Sequence, residues 1–251
     1  MSRLSVLFVV LLVGLTPTAA AEPLSGFDFA GPETRAMQDD DFANPGGFWL
    51  EHGEELWNTV DGSSGRSCAS CHDSQDMRGV APAYPKVDPE SGALMNLELR
   101  VNACRERHME AAPYALESDH LLSLVLFVRR QSQGMPMHVS ADGLAAPFYE
   151  RGRALYGQRR GQMNLACVQC HDERAGLFVR GERLSQGQVN GFPAYLLRWG
   201  AVGSAHRRFQ VCDDQALAEP LAIGSADYLA LELYVATRGN GLPVEAPAVR
   251  R

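Results

Sequence analysis

The chain has 251 residues, of which 45% are hydrophobic and 21% charged, with six cysteines and a single lysine. That composition excludes the disordered and fibrous classes, and the length suits one large domain or two small ones. A formal net charge of −7 argues against nucleic-acid binding, which needs clustered positive charge.

Residues 1–21 carry the marks of a secretory signal. Arg3 supplies the positive start, Leu4 to Leu15 form an apolar run, and Ala19-Ala20-Ala21 is a small-residue cleavage site. The run is shorter than the roughly 20 residues that span a bilayer as a helix, and no later stretch is long and apolar enough. Cleavage after about Ala21 removes one basic residue and no acid, which leaves a net charge of −8. The expectation is a soluble protein exported to a bacterial periplasm, with no membrane span. In that oxidising compartment an even number of cysteines ordinarily suggests disulfides.

Past the signal, the chain repeats itself. Gly53-x-x-Leu56-Trp57 lies fifteen residues before Cys68-Ala69-Ser70-Cys71-His72, and Gly152-x-x-Leu155-Tyr156 lies fifteen before Cys167-Val168-Gln169-Cys170-His171. The two copies are 99 residues apart here, but downstream the spacing becomes 107: Ser118 aligns with Ser225, Phe127 with Tyr234, Pro136 with Pro243. The second copy therefore holds eight extra residues between its CxxCH and its last helix. Pro45 and Pro147 are suited to the first turn of a short helix leading into each CxxCH loop. Ser118 or Asp119 can cap a helix to about Arg130, and Ser225 one to about Arg238, each with arginine near its C-terminus. Between them the chain is loop-rich in proline and glycine, and Gly134 to Pro147 is the expected boundary. The fold class is therefore expected to be all-α and loop-rich, as two tandem domains of the class I cytochrome c type at 22–139 and 140–251.

Two cysteines three apart can form thioethers with the two vinyl groups of one haem, and the adjacent histidine meets the iron as proximal ligand. A redox CxxC does not demand the following histidine, and zinc would want a second ligand pair at finger-like spacing. Two covalently bound haem c groups are expected: one on Cys68 and Cys71 with His72 on the iron, the other on Cys167 and Cys170 with His171.

The ligand opposite each histidine follows by elimination. After Met163 the chain has no methionine and after Lys86 no lysine, so the second unit offers His206 and Cys212. The first unit offers several residues, but Cys104 lies 23 residues before Phe127 and Cys212 lies 22 before the equivalent Tyr234. Thiolate ligation by Cys104 and Cys212 is the economical reading, with a Cys104–Cys212 disulfide and a His206-ligated second haem as alternatives. A thiolate stabilises ferric iron, which suits sulfur chemistry better than general electron carriage. Arg207 and Arg208 could hold a small dianion, and Asp213 and Asp214 are expected in a solvated turn.

Arg180-Gly181-x-x-x-Ser185-Gln186-Gly187-x-x-x-Gly191-Phe192-Pro193-x-Tyr195, then Arg207-Arg208-Phe209-x-x-Cys212, resembles the SoxA family of thiosulfate oxidation, as does Val101-Asn102-x-Cys104-Arg105. The resemblance covers nearly all of the mature chain, and the two CxxCH motifs match the dihaem form. It implies a heterodimer with a SoxX-like monohaem cytochrome, joining thiosulfate oxidatively to a cysteine of a SoxYZ-like carrier (L-cysteine S-thiosulfotransferase activity), with electrons passing to cytochrome c. It also implies that Cys212, as thiolate or persulfide, is the active-site residue and that Arg208 binds substrate. The first haem would then be remote from the chemistry. A tetrathionate-forming thiosulfate dehydrogenase and a non-catalytic dihaem electron carrier are the rival expectations.

Overall fold

Each half of the chain is built on two helices that cross at a glycine. The computed structural model describes residues 22–251, so the expected signal segment lies outside the described residues. In the first half α1 (Gly26–Phe29), α2 (Pro32–Asp39) and α3 (Gly47–Asn58) are followed by the first CxxCH loop. A hairpin of β1 (Lys86–Val87) and β2 (Leu94–Met95), then α4 (Leu97–Cys104) and α5 (Asp119–Arg130), complete it. The second half runs α6 (Ala146–Gly157), α7 (Cys167–His171), β3 (Phe178–Val179), β4 (Glu182–Arg183), β5 (Ala194–Leu196) and β6 (Ala201–Gly203). Helices α8 (Ala205–Gln215) and α9 (Ala226–Arg238) and strand β7 (Ala248–Arg250) end it. Among the described residues no helix is long and apolar enough to cross a membrane.

Helix α3 packs on α5, and α6 on α9. A Cβ at Gly53 would stand 2.1 Å from the Ser123 carbonyl oxygen, and one at Gly152 2.0 Å from that of Ala230. Only glycine permits either approach. The Trp57 ring then packs, tilted, against Phe127 at 5.5 Å, and Tyr156 against Tyr234 at 5.2 Å. The two long helices start and stop as their local sequence dictates. The Ser118 hydroxyl accepts from the Leu121 amide, that of Ser225 from Tyr228, and arginines occupy the last turns. Pro147 lies in the first turn of α6. Pro45 does not do so in α3: the Asn44 side chain accepts from the Gly46 amide, and this turn delays the helix start to Gly47.

Two features depart from the expectation. The all-α class is incomplete, because the described residues include seven short strands. After each CxxCH the chain must reverse direction to bring its next helix back over the pocket, and a hairpin does this while pairing its own backbone groups. The C-terminal tail then joins the second hairpin, with β7 parallel to β5, burying Ala194, Leu196 and Ala248. Its Glu245 and Arg250 are tied to Ser25, Gln38 and Asn190, so the N-terminal segment is held by the tail. Helix α5 is buried on every side because Leu122 and Leu126 pack on Val202 of β6 and on Ala246, with Trp49 and Leu50 of α3 against the same cluster.

The structure also explains the repeat spacing. The paired residues Lys86 and Met95 in one hairpin and Ala194 and Gly203 in the other are separated by 108 in sequence. So are the caps Asn96 and Ser204 and the residues Cys104 and Cys212. Nine extra residues therefore precede the second hairpin, where β3 and β4 form a hairpin of their own. One residue is then lost. The first unit continues α4 through a π-helical turn over Arg105–Met109, whereas α8 runs on as a regular helix. A π turn accommodates one residue more than an α turn, which accounts for the spacings of 23 and 22.

Candidate haem and sulfur-chemistry site

The second unit holds a pocket lined by Cys167, Cys170, His171, Arg208 and Cys212, with apolar walls from α6 and α9. The CxxCH segment is presented at its edge as the short helix α7. The Arg160–Leu165 bridge closes the preceding turn, and the Ala166 amide donates to Gln169 Oε1 at 2.9 Å. His171 Nδ1 donates to the Ser185 carbonyl oxygen at 2.8 Å, which leaves Nε2 as the acceptor atom. Gly187, at φ 76°, lies against this ring, and a Cβ there would come within 2.9 Å of His171 Cγ. Two thiols three residues apart, one oriented imidazole and a facing cysteine fit the donor set that a covalently bound haem c would take.

Cys212 and Arg208 lie one helical turn apart on α8, on one face. Burial alone would raise the Cys212 thiol, but the facing His171 and the Arg208 guanidinium reverse the balance and hold it below its ordinary value. Cys167, by contrast, is pushed up to about 12 by burial and by the neighbouring Cys212. Arg208 Nη1 is buried and among the described residues has no hydrogen-bond partner. Arg208 also lines a second, outer cavity that includes Leu196, Arg35 and Arg183, so it spans the wall between the pocket and the approach from solvent.

The structure does not leave Asp213 in a solvated turn. It accepts two hydrogen bonds from Arg160 Nη1, at 2.7 and 2.8 Å, and one from the Tyr228 hydroxyl at 2.7 Å. These pin the end of α8 to α9 and to the CxxCH loop. Asp214 is exposed as expected. His206 lies away from the pocket: Nδ1 accepts from the Gly224 amide at 3.0 Å and Nε2 is 2.9 Å from Glu232 Oε2. His206 is not among the residues that line the pocket, so the fold does not present it beside His171. Sequence reasoning missed the Arg160–Asp213–Tyr228 clamp, because nothing local links residues 53 and 15 positions apart.

In the first unit Cys68 and Cys104 are half-buried and Cys71 is exposed. Cys104 lies close enough to Cys68 that burial and its charge together push the Cys68 thiol up to about 11. The Cys104 thiol itself is raised, by burial, although Arg100 and Arg107 oppose the shift. None of the six cysteines forms a disulfide. Arg100, on α4, donates through Nη2 to Asp88 Oδ1 at 2.5 Å, and the buried Asp88 also accepts from the Ser91 hydroxyl at 2.7 Å. The Ser91 and Arg100 hydrogen bonds lower the Asp88 carboxyl from 3.8 to about 2. Because the folded-state value is depressed, this stabilisation is complete above about pH 4 and is lost as pH falls through 2. The Tm difference between wild type and Asp88→Asn is therefore expected to shrink between pH 5 and pH 2.5. A constant difference would show that the pair is not ionic.

The SoxA/TsdA cytochrome c domain model matches residues 52–137. The chain is 43% identical to the L-cysteine S-thiosulfotransferase subunit SoxA of Pseudaminobacter salicylatoxidans over 233 residues, 92% of this chain and 82% of that one. It is 42% identical to the subunit of the same name from Paracoccus pantotrophus, covering 90% and 78%. The crystal structure of SoxXA from P. pantotrophus superposes with a TM-score of 0.88 at 41% identity, over 91% of this chain and 87% of that one.

Proposed function

The chain belongs to the SoxA family of L-cysteine S-thiosulfotransferase subunits, and from that premise we propose that it conjugates thiosulfate to a cysteine of a SoxYZ-like carrier at Cys212. The observation that carries this reading is the pairing on α8: a lowered thiol and, one turn before it, an arginine with an unpartnered buried nitrogen, both in the CxxCH pocket.

In this reading the chain is two tandem cytochrome c-like domains, 22–139 and 140–251. Cys68 and Cys71 would hold one haem c, with His72 and Cys104 as the residues offered to its iron; Cys167 and Cys170 would hold the other, with His171 and Cys212. When bound, the second haem supplies one-electron acceptor capacity beside the reacting sulfur. Arg208 holds the sulfonate of thiosulfate by charge-assisted hydrogen bonds, which aims the sulfane sulfur at Cys212 one helical turn away. The Cys212 thiolate forms a disulfide bond to that sulfur with loss of two electrons, leaving a Cys212 S-thiosulfonate. The carrier thiolate then attacks the same sulfur, the bond to Cys212 breaks, and Cys212 leaves as thiolate. The sum joins thiosulfate to the carrier thiol with release of one proton and two electrons, which pass to a cytochrome c acceptor. The SoxXA likeness favours a SoxX-like monohaem cytochrome as the partner subunit, and the expected leader favours the periplasm.

The test is thiosulfate-dependent cytochrome c reduction by the holo heterodimer with and without carrier. Reduction that needs carrier supports the conjugation; carrier-independent reduction that yields tetrathionate supports the dehydrogenase, a reading kept because the matching family model spans both SoxA and TsdA. Arg208→Ala is expected to raise KM for thiosulfate at least about 30-fold, the size of a charge-assisted contact to an anion, with a smaller change in kcat. An unchanged KM would remove Arg208 from substrate binding.

A further inference from the structure

Set in register by their hairpins, the two units carry the same arginine in front of the same cysteine. Arg100 precedes Cys104 by four residues on α4, and Arg208 precedes Cys212 by four on α8. Yet the two arginines are in different states. Each keeps one buried nitrogen without a partner among the described residues, Nε in Arg100 and Nη1 in Arg208, but Arg100 is neutralised by Asp88, whereas no carboxylate of the described residues forms an ion pair with Arg208. Asp88 is the residue that follows β1 and bonds back across the hairpin through its amide to Ala93. The residue at that place in the second hairpin is Leu196, which pairs with Ala201. The loops between are of equal length, 88–93 and 196–201. Asp88 and Leu196 are equally buried, at 2% and 1% exposure, and Leu196 lines the same outer cavity as Arg208. A second difference acts in the same direction. Tyr84, which lies near Arg100, is replaced at the corresponding position by Phe192, which has no hydroxyl to offer Arg208.

We propose that Asp88 is a built-in anion filling the first unit's copy of the substrate-anion site, and that Leu196 is the residue that leaves Arg208 free for thiosulfate. One buried position thus decides which of two like sites takes a sulfur oxyanion. A carboxylate there is already seated on the guanidinium, so an incoming sulfonate must displace it and separate a buried ion pair. A leucine offers no competing charge, so an incoming anion meets the Arg208 guanidinium without displacing an internal partner. The inference rests on the reading of Arg208 as the receptor for the sulfonate.

Equilibrium dialysis of labelled thiosulfate against the holo heterodimer, without carrier so that no product is made, tests it. Leu196→Asp is expected to weaken binding at least about tenfold through the new internal pair. Leu196→Asn, which brings similar size and polarity without charge, is expected to stay within about threefold of wild type. Equal loss in the Asn and Asp variants would overturn the proposal, since it would mean that shape and not charge is read. Unchanged binding by Leu196→Asp, where Arg208→Ala does weaken it, would also overturn the proposal while leaving the role of Arg208 intact. Unchanged binding by Arg208→Ala itself would overturn both. In the Arg208→Ala background, Asp88→Leu is expected to restore one bound thiosulfate per chain, and Arg100→Ala to abolish it again. A spectrally native Asp88→Leu variant that gains no thiosulfate would overturn the assignment of Asp88.

Discussion

Cys212→Ala is expected to lower carrier-dependent thiosulfate conjugation at least about 10³-fold, because removing a covalent nucleophile leaves only binding and electrostatics to help the reaction. The physical basis is the position of the thiol. It is held below its ordinary value, with His171 facing it and Arg208 one turn away opposing the cost of burial. It also lies in the pocket lined by both CxxCH cysteines, Cys167 and Cys170. The side chain is small and half-buried, and α8 is anchored independently by the Asp213 clamp to Arg160 and Tyr228. The variant should therefore fold, with the visible spectrum changing only in the features that report sulfur at the iron. Cys104→Ala is the matched comparison. It removes the equivalent cysteine from the first unit, where Arg100 is already occupied by Asp88, and is expected to keep conjugation within about threefold of wild type. Equal losses in the two variants would contradict the division of roles between the units. Retention of full rate by Cys212→Ala would end the catalytic-cysteine reading and leave a plain electron carrier.

The second large effect falls on stability. Replacing a helical glycine by alanine ordinarily stabilises a helix by about 1 kcal/mol, so Gly152→Ala would be expected to help if α6 stood alone. The structure reverses the sign. The new methyl would sit 2.0 Å from the Ala230 carbonyl oxygen and 2.8 Å from the Tyr234 Cβ. A backbone carbonyl inside α9 cannot rotate away, so the helices must separate. That would loosen the Tyr156–Tyr234 contact and the apolar walls of the CxxCH pocket, Leu155 on α6 and Leu231 and Val235 on α9. Overpacking of this kind costs about 3 kcal/mol or more. For a chain of this length that corresponds to a fall in Tm of roughly 6–12 °C. Gly157→Ala, in the same helix but with nothing within 4 Å of its new methyl, provides the control and should be neutral or slightly stabilising. A Gly152→Ala protein that melts with wild type would mean that the two helices do not cross this closely.

Short-range physics separates the features legible in chain order from the rest. The CxxCH motifs, Gly53 and Gly152, and the caps Ser118 and Ser225 stand out because their chemistry is local: the interacting groups lie within a few residues or mark a fixed close approach. Chain order also supplied the eight-residue excess of the second unit. What it concealed was that the excess is a nine-residue insertion less one residue absorbed by a π turn. A net count cannot separate two opposite changes.

By itself the amino-acid sequence determined the repeat, the two CxxCH motifs, the two long helices and the paired cysteines, all consequences of short-range spacing. Tertiary structure alone decided the states of the charged groups around those cysteines. Asp88 meets Arg100 only because the β1–β2 hairpin folds back in a particular register. Asp213 meets Arg160 across 53 residues only because α8 closes over the CxxCH turn. His206 is spent on Gly224 and Glu232 because α8 and α9 pack side by side. Whether a charge is paired depends on which surfaces the fold presses together, and that is not a property of neighbouring residues. The difference between an occupied arginine and a free one, on two helices that look alike in sequence, is of this kind.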